Sequence, residues 1–172
     1  ADAARRIQDL VHAALAELRA EQSPDRRVNL HALVLSSLAR QAGVARERGV
    51  RLFYRGAFEG PRFPEEAVPV LGRADQFEGV VENLLSKAVK YARSQVEVEI
   101  GTEPGAVVLV VRDDGPGVPP EYRERIFDDG FQVPGSRPGH GIGLAGVLHA
   151  VRRHRGTIRV EDARGSGARF IV

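Results

Sequence analysis

The sequence contains no cysteine and no methionine. Without cysteine, the chain can form neither disulfide bonds nor thiolate sites for a metal ion. It also has no apolar run long enough for a membrane span or a signal peptide. Because it starts Ala-Asp-Ala, with no initiator methionine, we expect it to be a fragment of a longer protein.

The chain also lacks a large excess of charge of one sign. The chain carries 25 lysines and arginines against 23 acidic residues, a net charge of +2. This balance argues against a surface for nucleic acid. With 172 residues, 42% of them hydrophobic, the chain can bury a core, so we expect one domain with a short appendage.

Residues 1–22 have the pattern of an amphipathic helix. Its apolar stripe consists of Ile7, Leu10, Val11, Ala14, Leu15 and Leu18. The stripe fits two interpretations: a helix packed on its own domain, or the end of a longer coiled or bundled helix cut off from its partner. Pro24 and Asp25 end the pattern.

The rest of the chain alternates between helical and strand patterns. Helices are predicted from an N-cap at Asn29 to Arg48, over 73–92, near Glu121–Ile126 and from Gly141 to Arg155. Strands are predicted at Val50–Tyr54, Val68–Leu71, Val96–Ile100 and Val107–Val111, with a final hairpin of Ile158–Glu161 and Ala168–Val172. This order favours an α/β two-layer sandwich.

A carboxylate before two glycines follows Val107–Val111, a continuous apolar run of the kind expected of a central strand. Asp113 ends the run, and Gly115 and Gly117 let the backbone turn sharply and approach a ligand closely. The carboxylate could accept a hydrogen bond from the exocyclic amine of adenine. A strand-ending Asp-Gly turn without any ligand is the competing interpretation.

The helix over 73–92 carries a polar stripe beside its apolar one. Asn83, Lys87 and Lys90 are four and three residues apart and project from one face. Such a stripe could reach phosphates and a metal, or it could simply face solvent. A third segment, 139–144, places alternating glycines at a helix start, where exposed backbone N–H groups suit an anion.

Together and in this order, these segments resemble the nucleotide-binding boxes of the GHKL ATPase superfamily. The resemblance is greatest to the catalytic, ATP-binding domain of a two-component sensor histidine kinase, and it covers about residues 28–172. Residues 83–91 resemble the N box, 113–118 the first glycine box, 125–131 the F box and 139–144 the second glycine box. The resemblance implies the Bergerat fold, a two-layer α/β sandwich with a mixed sheet, here preceded by an N-terminal helix.

The resemblance also implies roles for matching residues. Asp113 would bind the adenine amine, Asn83 would hold Mg²⁺, and Asn83 and Lys90 would be catalytic. The remaining nucleotide contacts would come from Lys87, Tyr91, Gly115, Gly117 and Val118. Residues 1–22 would then be the C-terminal end of a dimerisation helix.

The phosphate side of the implied site would be a lid. Phe127 would anchor a lid running from about residue 128 to residue 138, and Arg137 within it could reach the phosphates. The hinge and the phosphate-facing backbone would be formed by Gly139, His140, Gly141, Ile142, Gly143 and Leu144.

Lys87 departs from the family pattern, which has an asparagine there that ligates Mg²⁺. An ammonium group only donates hydrogen bonds and cannot ligate a metal. At about 4 Å and an effective dielectric constant near 20, a unit-charge pair interacts by about 4 kcal/mol, and a divalent ion roughly doubles this. The hypothesis is that Lys87 partly replaces the metal, so that nucleotide binds but phosphate transfer is poor. Alternatively, Lys87 points into solvent.

Two further departures concern Ala168 and the histidines. Ala168 stands where many relatives have a threonine whose hydroxyl supports the adenine pocket. The absence of this one hydrogen bond should weaken recognition of the base by about 1 kcal/mol. None of the five histidines, His12, His31, His140, His149 and His154, precedes an acidic residue as the family's phosphoacceptor does. The resemblance therefore implies an acceptor outside this fragment.

The sequence leaves three functions to compare. The first is the ATP-binding domain in the cytoplasmic region of a histidine kinase whose parent protein is a homodimer. Its ligands would be ATP and Mg²⁺. Its partners would be the parent's dimerisation and phosphoacceptor domain and a response regulator. The second is a degenerate nucleotide-binding domain that acts as a signalling scaffold. The third is a gyrase-type ATPase, which is disfavoured because Asn83 occupies the position of the glutamate base and Glu82 points about 100° away around the helix.

Overall fold

The computed structural model describes residues 25–56, 69–136, 143–163 and 165–172. The predicted helix over 1–22 lies outside these residues. The described helices are α1 (Leu30–Glu47), α2 (Ala74–Tyr91) and α3 (Gly143–Arg153), with 3₁₀ turns at Pro120–Tyr122 and Arg125–Phe127. The strands are β1 (Arg26–Asn29), β2 (Arg51–Gly56), β3 (Pro69–Gly72), β4 (Gln95–Glu103), β5 (Ala106–Asp113), β6 (Arg159–Asp162) and β7 (Ala168–Ile171).

The main sheet has five strands in the order β2-β4-β5-β7-β6. β2 pairs with β4 in parallel, whereas the β4–β5, β5–β7 and β7–β6 pairs are antiparallel. β5 is therefore central, as its continuous apolar run predicted. The sheet is mixed, which confirms the predicted fold class.

The helices form the second layer. α2 buries six apolar side chains: Val80, Val81, Leu84, Leu85, Ala88 and Val89. This is most of the apolar face that the sequence predicted, and fully burying a leucine such as Leu84 contributes about 1.5–3 kcal/mol. α2 packs against both α1 and α3 and against β5, so it is the central helix of the layer. Within the described residues, no helix is long and apolar enough to span a membrane.

The start of α1 is capped as predicted. The Asn29 side chain accepts a hydrogen bond from the Ala32 backbone N–H at 3.0 Å, the usual role of an N-cap asparagine. Asn29 also ends β1, a strand that the sequence pattern did not predict. β1 buries only Val28 and exists because it pairs antiparallel with β3.

The other differences lie at element ends. The single short helix expected near 121–126 is two separate 3₁₀ turns. α3 ends at Arg153, two residues before the predicted end, and Arg155 then adopts a positive φ of 57°. Three of the five histidines lie within the described residues. His31 lies 2.6 Å from the Tyr54 hydroxyl, His154 packs on Phe77, and His149 is exposed.

Candidate nucleotide site

Asp113 is the last residue of β5 and is only 5% exposed. Its Oδ1 accepts hydrogen bonds from the backbone N–H groups of Gly115 at 2.8 Å and Ala168 at 3.4 Å. Burial raises the pKa of this carboxyl, and the two hydrogen bonds only partly offset that rise. The carboxylate is thus held in a fixed orientation inside the domain, as a recognition group must be.

Asp114, the adjacent carboxylate, has a different role. Its oxygens accept hydrogen bonds from the Ser94 hydroxyl at 2.6 Å and from the backbone N–H groups of Arg93 at 2.8 Å, Ser94 at 3.0 Å and Gln95 at 3.2 Å. Although partial burial acts in the opposite direction, these hydrogen bonds hold the pKa of Asp114 well below its ordinary value. Asp114 therefore fastens the end of β5 to the turn between α2 and β4.

The glycines after Asp113 are required by close contacts. A Cβ on Gly115 would lie 2.5 Å from the Tyr91 carbonyl oxygen, at the C-terminus of α2. Gly117 has a φ of 77°, and a Cβ there would lie 3.0 Å from the Gly167 carbonyl oxygen. Val118, next along the chain, packs partly buried against the core. The first glycine box is therefore wedged between the end of α2 and the β6–β7 turn.

The polar face of α2 carries four of the predicted site residues. Asn83, Lys87, Lys90 and Tyr91 are all half-buried. The Asn83 amide donates to the Gly79 carbonyl at 2.8 Å. A Cβ on Gly143 would lie 2.6 Å from Asn83 Oδ1, so this oxygen faces the first residue of α3. The N box and the start of α3 are thus in contact, as the nucleotide-site hypothesis requires.

Burial lowers the pKa of the Lys87 ammonium, and the nearby charge of Lys90 lowers it further. The Lys87 side chain is half-buried and therefore does not extend freely into solvent, and its ammonium group is repelled by the charge of Lys90. The Lys90 Nζ lies 5.3 Å from the centre of the Tyr91 ring. The face thus combines two cations with one amide oxygen.

The contact between Gly143 and Asn83 can be tested against a neighbouring glycine. In Gly143→Ala, the new methyl group displaces the Asn83 amide, so we expect nucleotide affinity to fall about tenfold, a change of about 1.4 kcal/mol. Gly146→Ala is the matched control on the same helix, since its Cβ meets nothing within 4 Å. It should leave affinity unchanged and stabilise α3 by up to about 1 kcal/mol. Calorimetric titration and thermal unfolding measure the two effects, and equal affinity losses in both variants would contradict the assignment.

The remaining predicted site residues divide into two groups. Phe127 and Leu144 are buried in the core, at 8% and 5% exposure. Phe127 is therefore a core residue, and its role as a lid anchor stays a prediction. The predicted lid and phosphate residues Arg137, Gly139, His140, Gly141 and Ile142 lie outside the described residues.

Glu82 does not enter the site. The Arg40 Nε donates to its Oε2 at 3.2 Å, and the Gln41 amide donates to its Oε1 at 2.5 Å. Both partners are on α1, so the carboxylate is held on the side of α2 away from Lys87. This agrees with the sequence argument against a glutamate general base of the gyrase type.

Sequence reasoning missed two parts of the site. One is Gly167, which comes so close to Asp113 that a Cβ there would overlap its carbonyl oxygen at 1.9 Å. The other is the Ala168 N–H, the second donor to the Asp113 carboxylate. The sequence signals were the glycine-rich turn at 165–167, which indicated a hairpin, and the family pattern at Ala168, which concerned a missing side-chain hydroxyl. Neither indicated a backbone contact with a residue more than 50 positions earlier.

Metal ligands are few at this site. Within the described ranges, no group of three or more histidine and acidic side chains could hold an ion. Mg²⁺ prefers six oxygen ligands, and α2 offers Asn83 Oδ1 next to two ammonium groups. Among the described residues, this face of α2 therefore supplies one neutral oxygen ligand for Mg²⁺, and waters and phosphate oxygens would have to complete the coordination.

Comparison with known proteins identifies the family. Residues 72–172 match the family model described as histidine kinase-, DNA gyrase B-, and HSP90-like ATPase. The chain is 34% identical over 114 residues to the sensor histidine kinase CpxA of Escherichia coli K12, a match covering 64% of this chain and 25% of CpxA. It is 36% identical over 105 residues to the sensor protein PhoQ of the same organism, covering 61% of this chain and 22% of PhoQ. The chain thus spans about a quarter of these relatives.

Solved structures share the fold. The mycobacterial sensor histidine kinase MprB superposes with a TM-score of 0.69 and 29% identity, over 86% of this chain and 94% of that one. Full-length ShkA in complex with AMPPNP superposes with a TM-score of 0.79 and 25% identity, over 97% of this chain and 34% of ShkA. With its family model matched over more than half its length, the chain belongs to the histidine kinase-, DNA gyrase B- and HSP90-like ATPases.

Proposed function

We propose that the chain is the ATP-binding catalytic domain of a sensor histidine kinase, and that it transfers the γ-phosphoryl group of ATP to a histidine outside residues 1–172. The observation that carries the proposal is the buried Asp113 carboxylate, oriented by two backbone N–H groups at the end of β5. Next to it, the half-buried polar face of α2 provides the cations that a polyphosphate needs.

Each part of the site has a distinct task. Asp113 accepts the hydrogen bond of the adenine amine, and the tight turn through Gly115 and Gly117 lets the base approach the backbone. Lys87, Lys90 and Tyr91 line the phosphate side, where Asn83 supplies the amide oxygen. Because phosphoryl transfer depends mainly on positioning and charge neutralisation, these side chains set the rate.

The domain limits and partners are part of the same proposal. Residues 28–172 form the catalytic domain, and residues 1–22 are the end of a dimerisation helix that continues into a homodimeric parent. The acceptor histidine lies in the parent's dimerisation and phosphoacceptor domain, in the cytoplasm, and a response regulator receives the phosphoryl group. The described elements begin at Arg26, close to the proposed limit.

Lys87 limits the proposed activity. In the relatives that the sequence resembles, an asparagine at this place ligates Mg²⁺, whereas here the ammonium group repels the ion. We therefore expect phosphoryl transfer to be slower than in a kinase with asparagine at this position. In the extreme case the domain binds nucleotide without transferring phosphate and acts as a scaffold, a second function that Lys87 and Ala168 favour.

Nucleotide binding is the first test of the proposal. With ATP at about 100 times its dissociation constant, binding stabilises the folded state by about 2.7 kcal/mol. In a domain of this size, that corresponds to a rise in melting temperature of about 5–10 °C. No rise with any adenine nucleotide, with or without Mg²⁺, would contradict the proposal.

Phosphate transfer separates the two functions. The full-length parent is incubated with γ-labelled ATP, and acid-labile label on histidine is measured over time. Slow labelling that Lys87→Asn accelerates supports an active kinase with a hindered site. Nucleotide binding without labelling, in both the wild type and Lys87→Asn, would leave the scaffold function.

A further inference from the structure

Lys87 and Lys90 are the only two lysines in the sequence, among 25 lysines and arginines. All other positive charge at neutral pH is carried by arginine or the chain terminus. Both lysines lie on the same face of one helix, three residues apart, and both are half-buried. Lysine differs from arginine in presenting a compact point charge on a flexible stem, which can approach a phosphate as a metal ion does.

The described surroundings of Lys87 supply no countercharge. Burial and the charge of Lys90 both act against the charged form of its amine, and no carboxylate contributes in the opposite direction. Among the described residues, no acidic side chain forms an ion pair with Lys87. Glu82, five residues earlier, is engaged by Arg40 and Gln41 of α1. A half-buried ammonium group such as that of Lys87, next to a second positive charge, is stabilised by an anion with more than one negative charge.

The same face suits a metal ion poorly. Asn83 contributes one amide oxygen, and its NH₂ group is already bonded to the Gly79 carbonyl. A divalent cation placed beside this oxygen would meet the repulsion of both ammonium groups. Nucleoside triphosphate that arrives with Mg²⁺ has part of its negative charge neutralised, and therefore gains less from the two lysines.

From this arrangement we infer that the site binds adenine nucleotide as the metal-free polyphosphate, with the Lys87 ammonium group in the place of the divalent cation. The inference rests on the proposed function, because it assumes that nucleotide binds between Asp113 and the α2 face. It deepens that function by naming the ionic form of the ligand. Affinity should rise from AMP to ADP to ATP in the absence of metal, since each added phosphate brings negative charge to the lysine pair.

Calorimetric titration of the whole chain with AMPPNP, in EDTA and in excess Mg²⁺, tests the inference. For the wild type we expect binding in EDTA to be at least as tight as in Mg²⁺, with the two dissociation constants within about threefold of each other. Lys87→Asn should bind about tenfold more weakly in EDTA and should regain affinity when Mg²⁺ is added. Lys87→Arg retains the charge and should keep most of the metal-free affinity.

Two controls exclude indirect effects. Arg46→Gln removes one positive charge from the exposed last turn of α1 and should leave both affinities unchanged. Reductive methylation with ¹³C-formaldehyde labels the two lysines and the terminal amine while keeping their charge. The Lys87 methyl signal, assigned from its loss in Lys87→Arg, should shift with AMPPNP in EDTA.

The possible outcomes separate the two proposals. Binding that requires Mg²⁺ in the wild type would overturn the inference while leaving the nucleotide site in place. Equal metal-free affinity of the wild type and Lys87→Asn would overturn it as well. Absence of binding under every condition would overturn the proposed function together with the inference.

Discussion

In Asp113→Asn, we expect adenine-nucleotide affinity to fall by about 10- to 100-fold, the cost of leaving a buried polar group opposed by another donor. The two N–H groups that bind Oδ1 of Asp113 can also donate to the amide oxygen of the introduced asparagine. They therefore fix the orientation of its side chain. The NH₂ group then occupies the position of the second carboxylate oxygen and meets the adenine amine, donor against donor. Titration with AMPPNP measures the loss.

The base preference gives a second readout of the same substitution. A 6-oxopurine carries an acceptor where adenine carries a donor. The NH₂ group of the introduced asparagine side chain can donate to that acceptor, so the ratio of affinities for ITP and ATP should rise. A general loss of affinity with an unchanged ratio would indicate a distorted pocket and contradict the assigned role of Asp113.

Stability should not fall with affinity. Burial raises the pKa of Asp113 above its unfolded value of about 3.9. The folded state therefore binds this proton more tightly than the unfolded state does. The free energy of unfolding then decreases as pH rises from the unfolded pKa through the folded pKa, and the buried charge costs stability at neutral pH. Asp113→Asn removes that cost, so its melting temperature at pH 7 should equal or exceed that of the wild type.

Asp114→Asn is the matched control and should do the reverse. Hydrogen bonds depress the pKa of Asp114, so its contribution to stability is present above its unfolded pKa and is lost as pH falls through the folded pKa. An asparagine has one acceptor oxygen for the four donors that Asp114 binds. We expect a loss of about 1–2 kcal/mol at neutral pH, with nucleotide affinity nearly unchanged. Equal behaviour of the two variants in both assays would refute the division of roles between the adjacent carboxylates.

The sequence predicted the parts of this molecule that depend on local periodicity. The apolar stripe of α2 and the continuous apolar run of β5 each specify a buried element, whatever surrounds them. The cap at Asn29 is local too, because its donor is three residues away. Order along the chain then allowed Asp113 and Asn83 to be assigned to one site through a family resemblance.

The features that escaped prediction depend on pairing between distant segments. β1 has one buried residue and no usable period, and it becomes a strand only through its register with β3. The distinct tasks of Asp113 and Asp114 follow from side-chain alternation at the end of β5, which points one carboxylate inward and the other toward the α2–β4 turn. No window of the sequence contains both Asp113 and its second donor at Ala168.

Gly167→Ala should have the largest effect on folding. At Gly167 the φ is 104°, and a Cβ would lie 1.9 Å from the Asp113 carbonyl oxygen and 2.9 Å from the Asp114 Cα. Both obstacles are backbone atoms of the central strand's end, so neither can move aside as a side chain would. Overpacking together with the left-handed backbone should cost about 3–5 kcal/mol, a large share of a typical stability of about 5–15 kcal/mol.

Comparison of Gly167→Ala with Gly165→Ala isolates the steric part of this cost. Gly165 lies in the same turn with a φ of 96°, but its Cβ would meet nothing within 4 Å. It should therefore lose only the backbone term, about 1–2 kcal/mol. Urea unfolding of both variants measures the difference, and equal losses would show that the approach of Gly167 to Asp113 is not tight. If the larger loss belongs to Gly167→Ala, its surviving folded fraction should also bind AMPPNP more weakly, because the displaced turn carries the Ala168 N–H away from the Asp113 carboxylate that it helps to orient.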